Sequence, residues 1–198
     1  MRQRQSGPES LTDRAQGDLQ LIRSMMQRTQ RFVPLPGWGV MTVGVIGCSA
    51  AWLSRNLNDG SWMFFWLGAA TVSLLVVLAV SLWQSRNTGR SVLLGSHRSF
   101  WLALLPSFLA AALLTLALGR VQAAGLLPGL WLLLYGSAMV GAGRHAVPQV
   151  GWMGWSFMLL GALALLLPGR SLFMGLGFGG LHLLFGLMIA LDGGKRAA

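Results

Sequence analysis

Residues 61–84, SWMFFWLGAATVSLLVVLAVSLWQ, run for 24 residues without an acid or a base. A helix rises 1.5 Å per residue, so about 20 apolar residues cross a hydrocarbon core of about 30 Å. This stretch is long enough. Its apolar residues are continuous rather than alternating, which excludes a barrel strand. Lipid offers no hydrogen bonds to a free backbone, so a segment of this kind is a helix.

The same ruler laid on both sides of it finds five more segments, at 34–54, 99–119, 125–143, 148–168 and 171–191, none with Asp, Glu, Lys or Arg. The expected fold is therefore all-α. It is a polytopic membrane helix bundle of six transmembrane helices, with an N-terminal amphipathic helix at the interface. The expected division is a disordered tail over 1–12, an amphipathic cytoplasmic helix over 13–33, a six-helix transmembrane domain over 34–191 and a short tail over 192–198. Loops 55–60, 120–124, 144–147 and 169–170 leave no room for a further domain between the spans.

Composition agrees with that class. The chain of 198 residues is 54% apolar and 10% charged, whereas a soluble domain carries about 25% charged residues. Twenty-seven glycines and nine tryptophans suit a bilayer, where glycine is tolerated in spans and tryptophan gathers at the interfaces. The single cysteine, Cys48, falls inside the first segment and has no partner for a disulfide or a zinc site.

The net charge of +10 is accounted for by topology rather than by nucleic acid. Arg2, Arg4, Arg14, Arg23, Arg28, Arg31, Arg86, Arg90, Arg98, Arg144, Lys195 and Arg196 fall on one side of the expected spans. Only Arg55, Arg120 and Arg170 fall on the other. Basic residues concentrate on the cytoplasmic face, so both termini are expected in the cytoplasm. No cleavable signal is expected ahead of the first apolar segment.

Between Asp13 and Phe32, Ala15, Leu19, Ile22 and Met26 form one apolar stripe, with Arg23, Arg28 and Arg31 as cations near the membrane. That pattern predicts a helix lying on the cytoplasmic surface and ended by Pro34 and Pro36. The three arginines are the candidate contacts to anionic lipid or to a cytoplasmic protein, and a plain topology anchor is the alternative. A short repeat links Val33-Pro34-x-x-Gly37-Trp38 to Val147-Pro148-x-x-Gly151-Trp152, with Gly47 and Gly161 at matching offsets. It is compatible with a duplicated hairpin or with coincidence.

Catalytic groups are scarce. Glu9, Asp13, Asp18, Asp59 and Asp192 are the only acids, and none lies inside a segment. No HExxH, GxSxG or P-loop occurs. No catalytic residue, metal ligand or cofactor is assigned, and the expectation is that the protein is not an enzyme. The exception in the spans is His182, one residue from the centre of 171–191. An ionisable ring at that depth is costly unless it stays neutral and finds a partner. Tyr135, the only tyrosine, lies at a matching depth in 125–143, so a Tyr135–His182 hydrogen bond is the simplest pairing. Ser137, Thr71 and Ser73 are further candidates. His182 can thus be a structural hydrogen-bonding residue, a haem or metal ligand, a proton carrier or a substrate contact. Segment 171–191 also holds the GxxxG step Gly175–Gly179, a surface for close helix approach. Gly136, Gly141 and Gly143 are its expected partners.

Three stretches carry a resemblance. They are Asp18-Leu-Gln-Leu-Ile-Arg-Ser-Met-Met26, Leu127-Pro-Gly-Leu-Trp-Leu-Leu-Leu-Tyr-Gly136 and Gly177-Phe-Gly-Gly-Leu-His-Leu-Leu-Phe-Gly186. Together they resemble an uncharacterised family of bacterial six-transmembrane inner-membrane proteins, often encoded beside a winged-helix regulator. The resemblance implies a bacterial inner-membrane location and the helix count, and supplies no catalytic residue.

Three functions remain open on these residues. The first is a non-catalytic regulatory or docking component with a basic cytoplasmic face. The second is a small oligomeric transporter or channel. The third is a haem-binding redox protein using His182. The expected partners are the lipid bilayer, a cytoplasmic protein and further copies of the chain, with no nucleic acid.

Overall fold

The computed structural model describes residues 18–20, 36–88 and 96–195. The chain divides into two units, Met1–Phe32 and Val33–Ala198. Of the first unit only residues 18–20 are described, and they are helical. The expected surface helix otherwise lies outside the described residues, and so do Arg23, Arg28 and Arg31.

In the second unit the described residues are helical, without a strand. The elements are α1 (Gly37–Leu53), α2 (Asp59–Thr88), α3 (Ser96–Arg120), α4 (Leu127–Ala142), α5 (Pro148–Leu166), α6 (Arg170–Met174), a π-helical stretch (Gly175–Leu181) and α7 (His182–Lys195). Short 3-10 turns, Ala124–Leu126 and Gly143–His145, flank α4. The last three elements run on from one another as a single helical rod.

Proline sets several of these limits. Pro36 is extended at the start of α1, and α4 and α5 carry proline in their first turn, where its missing amide costs nothing. The residue before a proline is pushed out of the helical region. Leu167, ahead of Pro168, is accordingly extended at φ −120° and ψ 144°, and α5 stops at Leu166. Gly169 then turns the chain at φ 125°, a conformation that favours glycine.

Five helical stretches are long and apolar enough to cross a membrane: Asp59–Gln84, Arg98–Arg120, Ala124–His145, Pro148–Leu166 and Arg170–Gly193. The protein is a multi-pass membrane helix bundle. The sixth expected span, 34–54, is shorter than expected. Among the described residues it is the 17-residue helix α1, about 25 Å long at 1.5 Å per residue, because Pro36 delays its start. Outward-facing leucines and phenylalanines clothe the bundle: Phe64 is 69% exposed, Leu75 60%, Leu105 60% and Leu116 67%. Such a surface is stable against lipid and not against water.

Two antiparallel pairs are built on glycine. In the first, Gly129, Gly136 and Gly143 of α4 and the turn after it recur every seven residues. They lie against Gly161, Gly154 and Gly151 of α5. A Cβ at Gly136 would sit 2.7 Å from the Gly154 carbonyl oxygen, so the backbones themselves are in contact. In the second, Gly37, Gly44 and Gly47 of α1 press on Gly186, Leu183 and Phe178 of the last rod. Small residues permit this approach, which is how membrane helices gain dispersion energy without a hydrophobic drive between them. The repeat-related Gly47 and Gly161 both serve such seams, each against a different partner helix.

This corrects one expectation. Gly136 and Gly143 meet α5 rather than the last helix, and Gly141 has open space around it. Gly175 and Gly179 instead face Ala51 and Cys48 of α1. The equal depth of two spans does not say which way their faces point. Peripheral α2 leans on α1, and α3 leans on α4. Leu132, Phe157 and Met174 fill the middle of the bundle and are fully buried.

Candidate functional site

His182 is the first residue of α7, directly after the π-helical stretch, and is only 3% exposed. Tyr135 projects from the middle of α4. Its hydroxyl oxygen lies 2.8 Å from His182 Nε2, a hydrogen bond whose direction follows the imidazole tautomer. His182 Nδ1 is buried without a hydrogen-bond partner. A neutral ring is the form that tolerates this depth, because a charge there would lack both water and a counter-ion.

Aromatic rings enclose the pair. Phe157 of α5 stands 4.8 Å from Tyr135 and 5.3 Å from His182 between ring centroids. Phe178 lies 5.2 Å from Tyr135 and stacks on His182 at 6.2 Å and 20°. Phe108 of α3 stacks on the Tyr135 ring at 6.3 Å. Edge and face contacts of this kind add to simple burial. Haem ligation needs a free ring nitrogen with an open face above it. Here Nε2 is engaged by Tyr135, and Nδ1, though unpartnered, is buried in a ring packed on two sides, so neither nitrogen has the open face an axial ligand needs.

Ser137, the third candidate, is not part of this cluster. Its hydroxyl donates to the Leu134 carbonyl at 2.9 Å and lies 3.2 Å from the Ser107 hydroxyl of α3. Two residues along a helix turn the side chain through about 200°, so Ser137 and Tyr135 cannot share a face. Thr71 donates to the Leu67 carbonyl within its own helix. The structure thus brings Tyr135 and His182 together and leaves Ser137 and Thr71 apart from them.

A second polar cluster, not anticipated from the sequence, closes one end of the bundle. The Arg170 guanidinium pairs with Asp59 and donates to the Leu57 carbonyl. It also lies 5.3 Å over the Trp62 ring. Trp62 stacks on Trp131 at 5.7 Å and 12°. Trp131 Nε1 donates to Thr115 at 2.8 Å, and Trp66 Nε1 donates to the buried Ser54 hydroxyl at 3.0 Å. One arginine therefore ties the last helix to the α1–α2 turn and to α2. The available signal was that Asp59 and Arg170 both sit at span ends on the same expected side. At the opposite end, Gln149 of α5 donates to Asp192 of α7.

Among the described residues no three His, Cys, Asp or Glu side chains gather as a metal site. Comparison with protein-family models, curated proteins and solved structures finds no match.

Proposed function

We propose that this chain is a non-catalytic component of a bacterial inner membrane, crossing it six times with both termini in the cytoplasm, and that it docks a cytoplasmic protein through its basic face. The observation that carries this reading is the fate of His182. The ionisable ring at mid-depth gives Nε2 to Tyr135 inside an aromatic shell, and its Nδ1 is buried, so neither nitrogen faces a substrate. The cations lie elsewhere, twelve of the fifteen on the side of the termini. Three of them, Arg23, Arg28 and Arg31, share the apolar-striped segment 13–33. At 17 residues, α1 makes the sixth crossing, because a short helix is accommodated by local thinning of the bilayer.

The test is photo-crosslinked capture from native membranes with the wild-type chain and with Arg23, Arg28 and Arg31 all changed to Ala. The docking reading expects one stoichiometric protein partner that is lost in the triple variant. A partner retained in full by the triple variant, or none in either, overturns it. Solute flux in proteoliposomes would favour the transporter reading. A Soret band that vanishes in His182→Leu would favour haem.

A further inference from the structure

The π-helical stretch reads GLGFGGL, with glycine at 175, 177, 179 and 180. A π turn holds one more residue than an α turn and appears mostly as a local insertion at functional positions. This one is held by its neighbours rather than by its own side chains. Gly47 of α1 rests on the Phe178 carbonyl, and Leu132 fills the space where a Gly177 side chain would be. A Cβ at Gly179 would lie 2.5 Å from Cys48 Sγ. The rod is tethered below the stretch by Tyr135–His182 and above it by Arg170.

Phe178 sits in the middle of the stretch. It is the half-buried ring that stacks on His182 and reaches Trp66 of α2 at 6.1 Å. If the wide turn tightens to α, the surplus residue passes toward Gly169, whose φ of 125° ends the rod ahead of Arg170. Each residue so displaced rotates the flank by about 100°, which carries Phe178 off the pair.

We infer that Gly175–Leu181 is a two-state joint in which Phe178 is a gate over the Tyr135–His182 pair, coupling that pair to the Arg170 clasp. The glycines lower the cost of the exchange within the stretch, since four of its seven residues carry no side chain to repack, while Leu132 beside Gly177 yields as Phe178 moves. Latch and gate work together: the hydrogen bond to Tyr135 holds His182 in place while the π turn holds Phe178 on its ring. Interconversion belongs to the μs–ms class of helix register motions.

Cys48 is the sole cysteine of the chain and abuts the joint at Gly179, so it serves as a native reporter. The full chain, tagged there with a trifluoroethyl thiol and held in phospholipid nanodiscs, is read by fluorine NMR with saturation transfer. A second, untagged preparation carries 5-fluorotryptophan and is read at Trp66, assigned with Trp66→Phe. Two exchanging signals are expected at each probe. Tyr135→Phe removes the latch and should raise the minor signal about three-fold, from the average interhelical hydrogen bond in membranes. Deleting Gly180 removes the surplus residue and should leave one signal. A single non-exchanging signal at both probes in wild type and Tyr135→Phe overturns the joint. So does exchange that persists unchanged without Gly180. Should the deletion fail to fold, Tyr135→Phe alone decides.

Discussion

The hydroxyl of Tyr135 and Nε2 of His182 meet at 2.8 Å across 47 residues of sequence, and this bond is the polar link between α4 and α7 at mid-depth. Its removal has a defined signature. His182→Leu should lose about 0.6–2 kcal/mol, the range for interhelical hydrogen bonds in membranes. Tyr135→Phe should lose a similar amount alone and little more once His182 is Leu, since the two share one interaction. His182→Gln should keep part of the stability. Reversible unfolding in mixed micelles measures the cycle, and additive losses would refute the partnership.

Glycine contact makes a sharper contrast. Gly136→Ala places a methyl 2.7 Å from the Gly154 carbonyl oxygen, where the neighbour is backbone and cannot turn aside. Overpacking of this kind costs about 1–3 kcal/mol. Gly141→Ala meets nothing within 4 Å and should be neutral or gain up to about 1 kcal/mol from helix propensity. Equal losses at the two sites, read by thermal denaturation, would contradict the α4–α5 seam.

The clasp at Arg170 should be asymmetric. Asp59 is 67% exposed and the arginine side chain 29%, so water screens their charge attraction and Asp59→Asn should cost at most about 1 kcal/mol. Arg170→Ala should cost more, because the guanidinium also serves the Leu57 carbonyl and covers Trp62. A cation over an indole alone contributes about 0.5–2 kcal/mol. A shift in tryptophan emission is expected with Arg170→Ala and not with Asp59→Asn. The reverse order of losses would show that the ion pair, rather than the carbonyl and ring contacts, holds the clasp.

Topology is open to direct measurement. Twelve of fifteen Lys and Arg residues lie on one side of the expected spans. Reporter fusions at residues 1 and 198 should both report cytoplasm, and one after Arg120 the opposite side. A C-terminus outside the cytoplasm would require an odd number of crossings and would remove α1 as a span.

Much of the bundle was legible without coordinates. Length and uninterrupted apolarity located the helices: the expected 61–84 lies inside Asp59–Thr88, 99–119 inside Ser96–Arg120, and 148–168 runs two residues past Leu166. The overrun has a local cause, since Pro168 forces Leu167 out of the helix. In the first segment, Pro36 is extended rather than helical and the helix starts at Gly37, while residues 34 and 35 lie outside the described residues. Depth was legible as well. Counting inward from span ends placed Tyr135 and His182 on one level, and Asp59 and Arg170 could have been matched by the same count.

Azimuth was not legible. Hydrophobic periodicity tells a soluble helix which face is buried, but these helices are apolar all round, and lipid and protein interior reward the same side chains. The sequence alone therefore determined that the chain is helical, that it is a multi-pass membrane protein, where its five long apolar helices lie and that Tyr135 and His182 are placed to meet. Only the tertiary structure decided that Gly136 seats against Gly154 and Gly47 against Phe178, that Ser137 turns to α3, and that residues 175–181 wind as a π-helix. Those outcomes depend on how backbones fit together at close range, which no single helix encodes by itself.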